Sequence, residues 1–237
     1  MRVVPTDLRD PKTWVALSRE LDSTMGLLTT GLRLLDQVRF LEGDLEPAMV
    51  CLASGAEKLL KLTYGLTVTD ATGSWPSKAV MQDKYRHQIS ALDQECRARI
   101  ADRIDLAAAP GYIRTLLERS DSDPFLQPTL AALTRYATQG RFHNLDVLAD
   151  SPPSAASPQQ LWEDMERHIT TLNPDLLARL GDVAQDWDLS RRGLARPIQR
   201  ALIEWWELYW RAYMHGVFGP TGKQWGSQLQ PPKAPEG

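Results

Sequence analysis

The sequence predicts an all-α protein. Nearly every segment between prolines and glycines repeats its apolar residues every three or four positions, and no segment alternates apolar and polar residues between hairpin turns. Helix-starting residues also stand directly in front of the periodic runs. The expected architecture is an up-and-down helical bundle over residues 1–150 with a C-terminal helical extension over 151–218, packed on or beside it. A disordered tail is expected over 219–237.

The first helix is expected to start after Asp10, as N-cap, with Pro11 at its first position, and to reach about Leu41. Trp14, Leu17, Leu21, Met25, Leu28, Leu32 and Leu35 form its apolar stripe. Gly43-Asp44 reads as a break, and Glu46-Pro47 opens a second helix to about Tyr64. Its small residues Ala53, Gly55 and Ala56 permit close approach of a neighbour. Thr67 to Pro76 reads as a loop, and Ser77 caps a third helix reaching about Ile104. Shorter helices are expected over Pro110 to Arg119 and from Pro124 to about Gly140 or on to Leu148, with Gly140 as a kink.

The clearest linker is Ser151-Pro152-Pro153-Ser154-Ala155-Ala156-Ser157-Pro158, because its prolines and small polar residues neither continue a helix nor fill a core. Ser157-Pro158 then starts one helix, and Asn173-Pro174 another that ends near Trp187. The last helix carries Pro197 in its first turn, then Trp205, Trp206, Tyr209, Trp210 and Tyr213. From Gly219 onward the glycines and prolines read as disordered.

A chain of 237 residues buries roughly 70% of its unfolded surface, so a substantial core is expected. The net charge of −3 gives no whole-molecule attraction to nucleic acid, and any such site must be a local patch. Cys51 and Cys96 belong to no paired-cysteine motif and read as thiols in a reducing compartment. Met1 to Pro5 lacks the apolar stretch of a signal peptide, and no run approaches a transmembrane span, so a cytoplasmic protein without membrane contact is expected. The sequence holds no phosphate loop, dinucleotide fingerprint, nucleophile elbow, zinc-type pairing or di-iron motif, so no cofactor and no metal are called for.

Two stretches contrast. Ala53 to Lys61 is an ordinary amphipathic helix, whereas Arg135 to Asp146 gathers arginine, histidine, amide and carboxylate within a dozen residues. On a helix through Gly140, Tyr136, His143 and Val147 share one face, and Arg135, Phe142 and Asp146 the next. Arg135, Arg141, His143 and Asn144 can then converge on a phosphate, with His143 moving a proton and an arginine stabilising phosphoryl charge. The same residues also read as a polar cap at a helix bend, with Asp146 paired to Arg141. Arg86 and His87 are further nucleic-acid candidates; alternatively, Asp83 and His87 form a surface pair one turn apart.

On the last helix, Trp206, Trp210 and Tyr213 widen the aromatic band beyond one contact face. The band is core packing, a partner or self-association interface, or a base-stacking surface. The polar stripe Arg200, Glu204, Glu207, Arg211 and His215 alternates in charge and reads as an ion-paired face.

Ala53 to Lys61 together with Tyr85-Arg86-His87-Gln88-Ile89-Ser90-Ala91-Leu92 resembles the HEPN superfamily over about residues 10 to 150. The resemblance implies a four- or five-helix bundle, frequently dimeric, in a family rich in metal-independent ribonucleases and in toxin or antiviral defence components. It implies that an arginine and a histidine a short interval apart act across a dimer in RNA cleavage. Here Arg135 and His143 have seven residues between them, Arg141 and His143 one, and Arg211 and His215 three. The expected function is RNA binding or metal-independent RNA cleavage in a prokaryotic defence or stress system. His143 would be the general acid/base, Arg135 or Arg141 would hold phosphate, and the chain would act as a homo-oligomer or hetero-complex. The alternative is a non-catalytic helical adaptor that binds a partner, or itself, through the Trp-rich helix.

Overall fold

A computed structural model describes residues 8, 10–150, 155–182 and 187–234. The expectations for Met1 to Pro5, for Ser151 to Ser154 of the linker and for the chain just before Trp187 lie outside the described residues. The fold is all-α, with no strand among the described residues. The helices are α1 (Pro11–Leu35), α2 (Leu41–Thr72), α3 (Ile89–Asp102), α4 (Pro110–Ser122), α5 (Leu126–Thr138), α6 (His143–Leu148), α7 (Pro158–Leu172), α8 (Pro174–Gly181), α9 (Trp187–Met214) and α10 (Gly219–Trp225).

Several boundaries correct the sequence reading, each for a local reason. Gly43-Asp44 does not break a helix but lies in the first turn of α2, and α1 stops at Leu35. The Asp44 carboxylate reaches back to accept the N–H groups of Arg39 (2.9 Å) and Phe40 (3.0 Å), satisfying donors that a helix start leaves open. Those bonds hold its carboxyl below the ordinary aspartate range. The expected loop from Thr67 shrinks because Thr67 and Thr69 return their hydroxyls to the carbonyls of Thr63 and Gly65, each at 2.7 Å, and stay helical. α2 ends at Gly73, whose φ of 73° is the left-handed cap conformation.

The third helix is not continuous from Ser77. A π-helical turn, Val80–Lys84, is followed by a break in which His87 takes φ 56°, and α3 begins at Ile89. Pro47 and Pro197 sit inside α2 and α9 and do not open them. A glycine, Gly43 or Gly193, stands four residues before each, at the carbonyl a proline ring crowds. The expected disordered tail is partly ordered: α10 and a 3₁₀ turn, Gly226–Leu229, bury Trp225 and Leu229. The Trp225 ring lies 4.1 Å from that of Trp14.

The core is organised by the long helices α1, α2 and α9. α1 and α2 form a hairpin in which each helix offers a glycine to a leucine of the other. A Cβ on Gly31 would lie 2.6 Å from Leu52 Cγ, and one on Gly55 2.8 Å from Leu28 Cγ. α9 shares this core. Its Gln199 amide donates to the Leu32 carbonyl of α1 (2.8 Å), Tyr213 and Thr63 of α2 join through their hydroxyls (3.1 Å), and Trp205 and Tyr209 donate to Asp93 of α3. α5 packs on α2 and α3, and α7 packs on α5, which brings the start of α7 beside the end of α5.

Candidate functional site

The chain beyond α5 builds a cavity. At Gly140 it passes so close to the Pro158 ring that a Cβ there would overlap it, and Arg135 O would lie 3.1 Å away. The glycine therefore permits a 3₁₀ turn, Gly140–Phe142, and then α6. Because α5 ends at Thr138, the single helical face expected for Tyr136, His143 and Val147 does not exist. A cavity of about 310 Å³ forms instead, between the start of α2, the end of α5, the 140–145 turn and the first turn of α7.

Arg141, His143 and Asn144 all line this cavity, facing Glu42, Glu46 and Tyr136. His143 is half-buried, and its Nδ1 is buried without a hydrogen-bonding partner in the protein. An imidazole nitrogen left in that state is costly unless something else engages it. The Tyr136 hydroxyl donates to Glu46 Oε1 at 3.4 Å. Burial, and then the Glu46 carboxylate, raise the Tyr136 phenol above its ordinary value, so it stays a donor. The Arg141 guanidinium lies 5.8 Å from the Tyr136 ring centroid and forms no ion pair among the described residues, including with Asp146. Ser157, Pro158 and Gln159 bring the positive end of the α7 dipole to the cavity wall.

Arg135 is a correction. It does not line the cavity: its Nε donates to Ala156 O (2.8 Å), its Nη2 to Ala155 O (3.1 Å), and it also bonds Gln139. Its guanidinium fastens the chain entering α7 onto the end of α5. His87 and Arg86 do not line the cavity either. The backbone break carries His87 away from Asp83 to Glu57, whose Oε2 lies 2.9 Å from His87 Nδ1, while Lys61 Nζ takes Oε1 at 2.6 Å. Burial pushes the Glu57 carboxyl up, but the bonds from Lys61 and His87 outweigh it and hold it below the ordinary glutamate range. Arg86 is exposed.

The partner-binding assignment also changes. Trp206 and Tyr213 are buried in the core and present no surface to a partner, and Trp210 is half-buried with Arg211 3.9 Å above its ring. Among the exposed apolar side chains of the described residues, Phe142, Leu145, Val147 and Leu148 fall together around α6, with Leu148 81% exposed.

Glu42, Glu46 and the Tyr136 hydroxyl are the cavity residues that sequence reasoning missed. Glu42 and Glu46 stand one turn apart at a helix start, a like-charge pair on one face that does not stabilise a helix by itself and was the available signal. Among the described residues no three His, Cys, Asp or Glu side chains gather as a metal-ion site, and no helix is long and apolar enough to cross a membrane. Fold and cavity together define an all-α helical protein with a polar cavity lined by Glu42, Glu46, Tyr136, Arg141, His143 and Asn144. Compared with known proteins, the chain matches no family model, no curated protein and no solved structure.

Proposed function

We propose that the cavity binds RNA and cleaves it without a metal ion, the activity that the HEPN resemblance implies. The observation that carries this reading is the gathering of Arg141, His143 and Asn144 around one cavity with Glu46. In the reaction, Glu46 takes the proton of a ribose 2′-hydroxyl as that oxygen attacks the adjacent phosphorus. The bond from phosphorus to the 5′-oxygen breaks, and a protonated His143 gives its proton to the leaving oxygen. Arg141 and the α7 amide end face the charge that builds on the phosphoryl oxygens. Asn144 hydrogen-bonds the sugar or base, and the Tyr136 hydroxyl orients Glu46.

The test is incubation with mixed RNA in EDTA, comparing wild type with His143→Ala, Glu46→Gln and His87→Ala. Loss of either acid–base group lowers the cleavage rate by about 10²- to 10⁴-fold, and His87→Ala leaves it unchanged. An inactive wild type, or cleavage that survives His143→Ala, refutes the reading.

The exposed apolar side chains around α6 favour a second reading, self-association, now through Phe142, Leu145 and Leu148 and not through the tryptophan helix. A second copy seated there would bury side chains that water now meets. Sedimentation of wild type against Leu145→Ser/Leu148→Ser decides it: a dimer that dissociates in the variant supports it, and a monomeric wild type rejects it.

A further inference from the structure

A second cavity lies at the opposite end of the α5–α7 pair, and its chemistry is different. It has a volume of about 380 Å³ and sits between the start of α5, the start of α8 and the middle of α9. α8 is seated tightly on α9 here, because a Cβ on Gly193 would come within 2.6 Å of Leu176 Cδ1. Leu176 and Arg179 are three residues apart on α8, so the same face that packs on Gly193 brings Arg179 to the cavity. Arg196 and Arg200 stand one turn apart on α9 and line it too.

None of these three arginines makes an ion pair or a hydrogen bond among the described residues. Several other arginines are matched to acids, among them Arg191 to Glu166, Arg119 to Glu204, Arg211 to Glu207 and Arg99 to Glu95, whereas Arg19, Arg33, Arg86, Arg114 and Arg141 form no ion pair among the described residues either; what sets Arg179, Arg196 and Arg200 apart is that one cavity gathers all three. The wall holds a single carboxylate, Asp123, whose Oδ1 accepts the N–H groups of Phe125 (2.8 Å) and Leu126 (2.9 Å) to cap α5, so the three guanidiniums leave the cavity with an excess of positive charge. Three guanidiniums held around one concavity repel one another, and in a chain of net charge −3 an acidic neighbour would have been easy to supply. Phe125, whose ring is 5.8 Å from that of His168, and the buried Leu176 add an apolar wall.

We infer that this cavity is a binding site for a small organic polyphosphate of nucleoside-diphosphate size, its phosphates held by Arg179, Arg196 and Arg200 and its apolar part lying against Phe125. Guanidinium forks match phosphate oxygens in pairs, and the volume lies in the range of small-molecule sites. The site is separate from the proposed RNA site, since Phe125 and Tyr136 are about 17 Å apart along α5 at the helical rise per residue.

Calorimetric titration with ADP, pyrophosphate and adenosine tests it. ADP binds, pyrophosphate binds less tightly, and adenosine binds least. Arg196→Gln/Arg200→Gln weakens ADP by at least about tenfold per arginine, the loss expected for a charge-assisted hydrogen bond. Arg179→Gln, at an exposed position, provides a second variant whose folding is not in question, and it weakens ADP as well. Phe125→Leu brings ADP toward the affinity of pyrophosphate, and His143→Ala leaves ADP binding unchanged, which separates this site from the RNA reading. No binding of ADP at millimolar concentration, or equal binding by the arginine variants, overturns the inference. So does an oligoribonucleotide that binds through these arginines when ADP does not.

Discussion

Replacing Asp93 tests how α3 is joined to α9. Its side chain is fully buried, and Oδ1 accepts hydrogen bonds from Trp205 Nε1 (2.6 Å) and the Tyr209 hydroxyl (2.8 Å), while Oδ2 lies 3.4 Å from Arg97 Nε without a hydrogen bond. Asp93→Ala leaves an indole N–H and a phenol O–H in the core without an acceptor. At about 1–3 kcal/mol for each stranded group, the loss is about 2–6 kcal/mol, a large share of the ordinary stability of a domain. Asp93→Asn keeps an acceptor for both donors but turns an amide N–H toward Arg97 Nε where Oδ2 stood, and Arg97 retains Ser120 and Asp121, so it costs about 1–3 kcal/mol, one stranded group where alanine strands two. The two variants also differ from wild type in their pH dependence. Burial raises the Asp93 carboxyl above the ordinary aspartate range, so the folded state binds the proton more tightly than the unfolded chain does. Stability from this group is therefore present at low pH and is lost as pH rises from the ordinary aspartate range through the raised value. Asp93→Asn lacks that falling limb. Urea denaturation followed by tryptophan fluorescence across pH measures both effects. An alanine variant within about 1 kcal/mol of wild type, less than one stranded donor is worth, would refute the reasoning.

The packing and the charges set three further outcomes. Glu57→Gln removes a carboxylate held below the ordinary glutamate range, whose stabilisation is present above that range and lost as pH falls through the depressed value. The variant therefore shows a shallower acid limb in a thermal-melting series, and an unchanged limb contradicts the assignment. Gly31→Ala drives a methyl into Leu52 and its backbone; overpacking at about 1–3 kcal/mol, less about 1 kcal/mol of helix propensity, leaves a net loss of at most about 2 kcal/mol in urea unfolding. Arg135→Gln frees the Ala155 and Ala156 carbonyls and lowers stability by about 1–2 kcal/mol for its exposed hydrogen bonds. If Arg135 only fastens the entry to α7, the proposed RNA cleavage per folded molecule stays at the wild-type rate, and a collapse in rate with unchanged stability would return it to the site.

The parts of the fold legible in the sequence are those fixed by residues close together. Asp10 accepts from Thr13 N–H (3.0 Å), Ser157 from Gln160 N–H (3.0 Å) and Asn173 from Leu176 N–H (3.1 Å), each with a proline one residue later. Cap and first turn are settled within four residues in these cases, so local pattern suffices. The boundaries that escaped were decided by partners further off, or by glycine and proline in unexpected positions. Pro47 and Pro197 are tolerated inside helices, and the chain after Gly219 is ordered because Trp225 finds Trp14 on α1. No local rule announces a contact between the two ends of a chain.

The candidate site divides along the same line. Arg141, His143 and Asn144 are neighbours in sequence and remain neighbours in space, so their shared chemistry was visible. Arg135 is equally near in sequence but faces the other way, because α5 stops at Thr138 and the turn at Gly140 rotates the residues beyond it. Glu46 joins them only because α2 and α5 pack together, and its contact with Tyr136 spans 90 residues. The arginine cavity is the limiting case: Asp123, Arg179, Arg196 and Arg200 come from three segments, and each alone reads as an ordinary surface charge. Their meaning lies in the excess of three guanidiniums over one carboxylate in the wall around them. A sequence shows which charges are present, whereas only the packed helices show which of them have been left without a counter-charge.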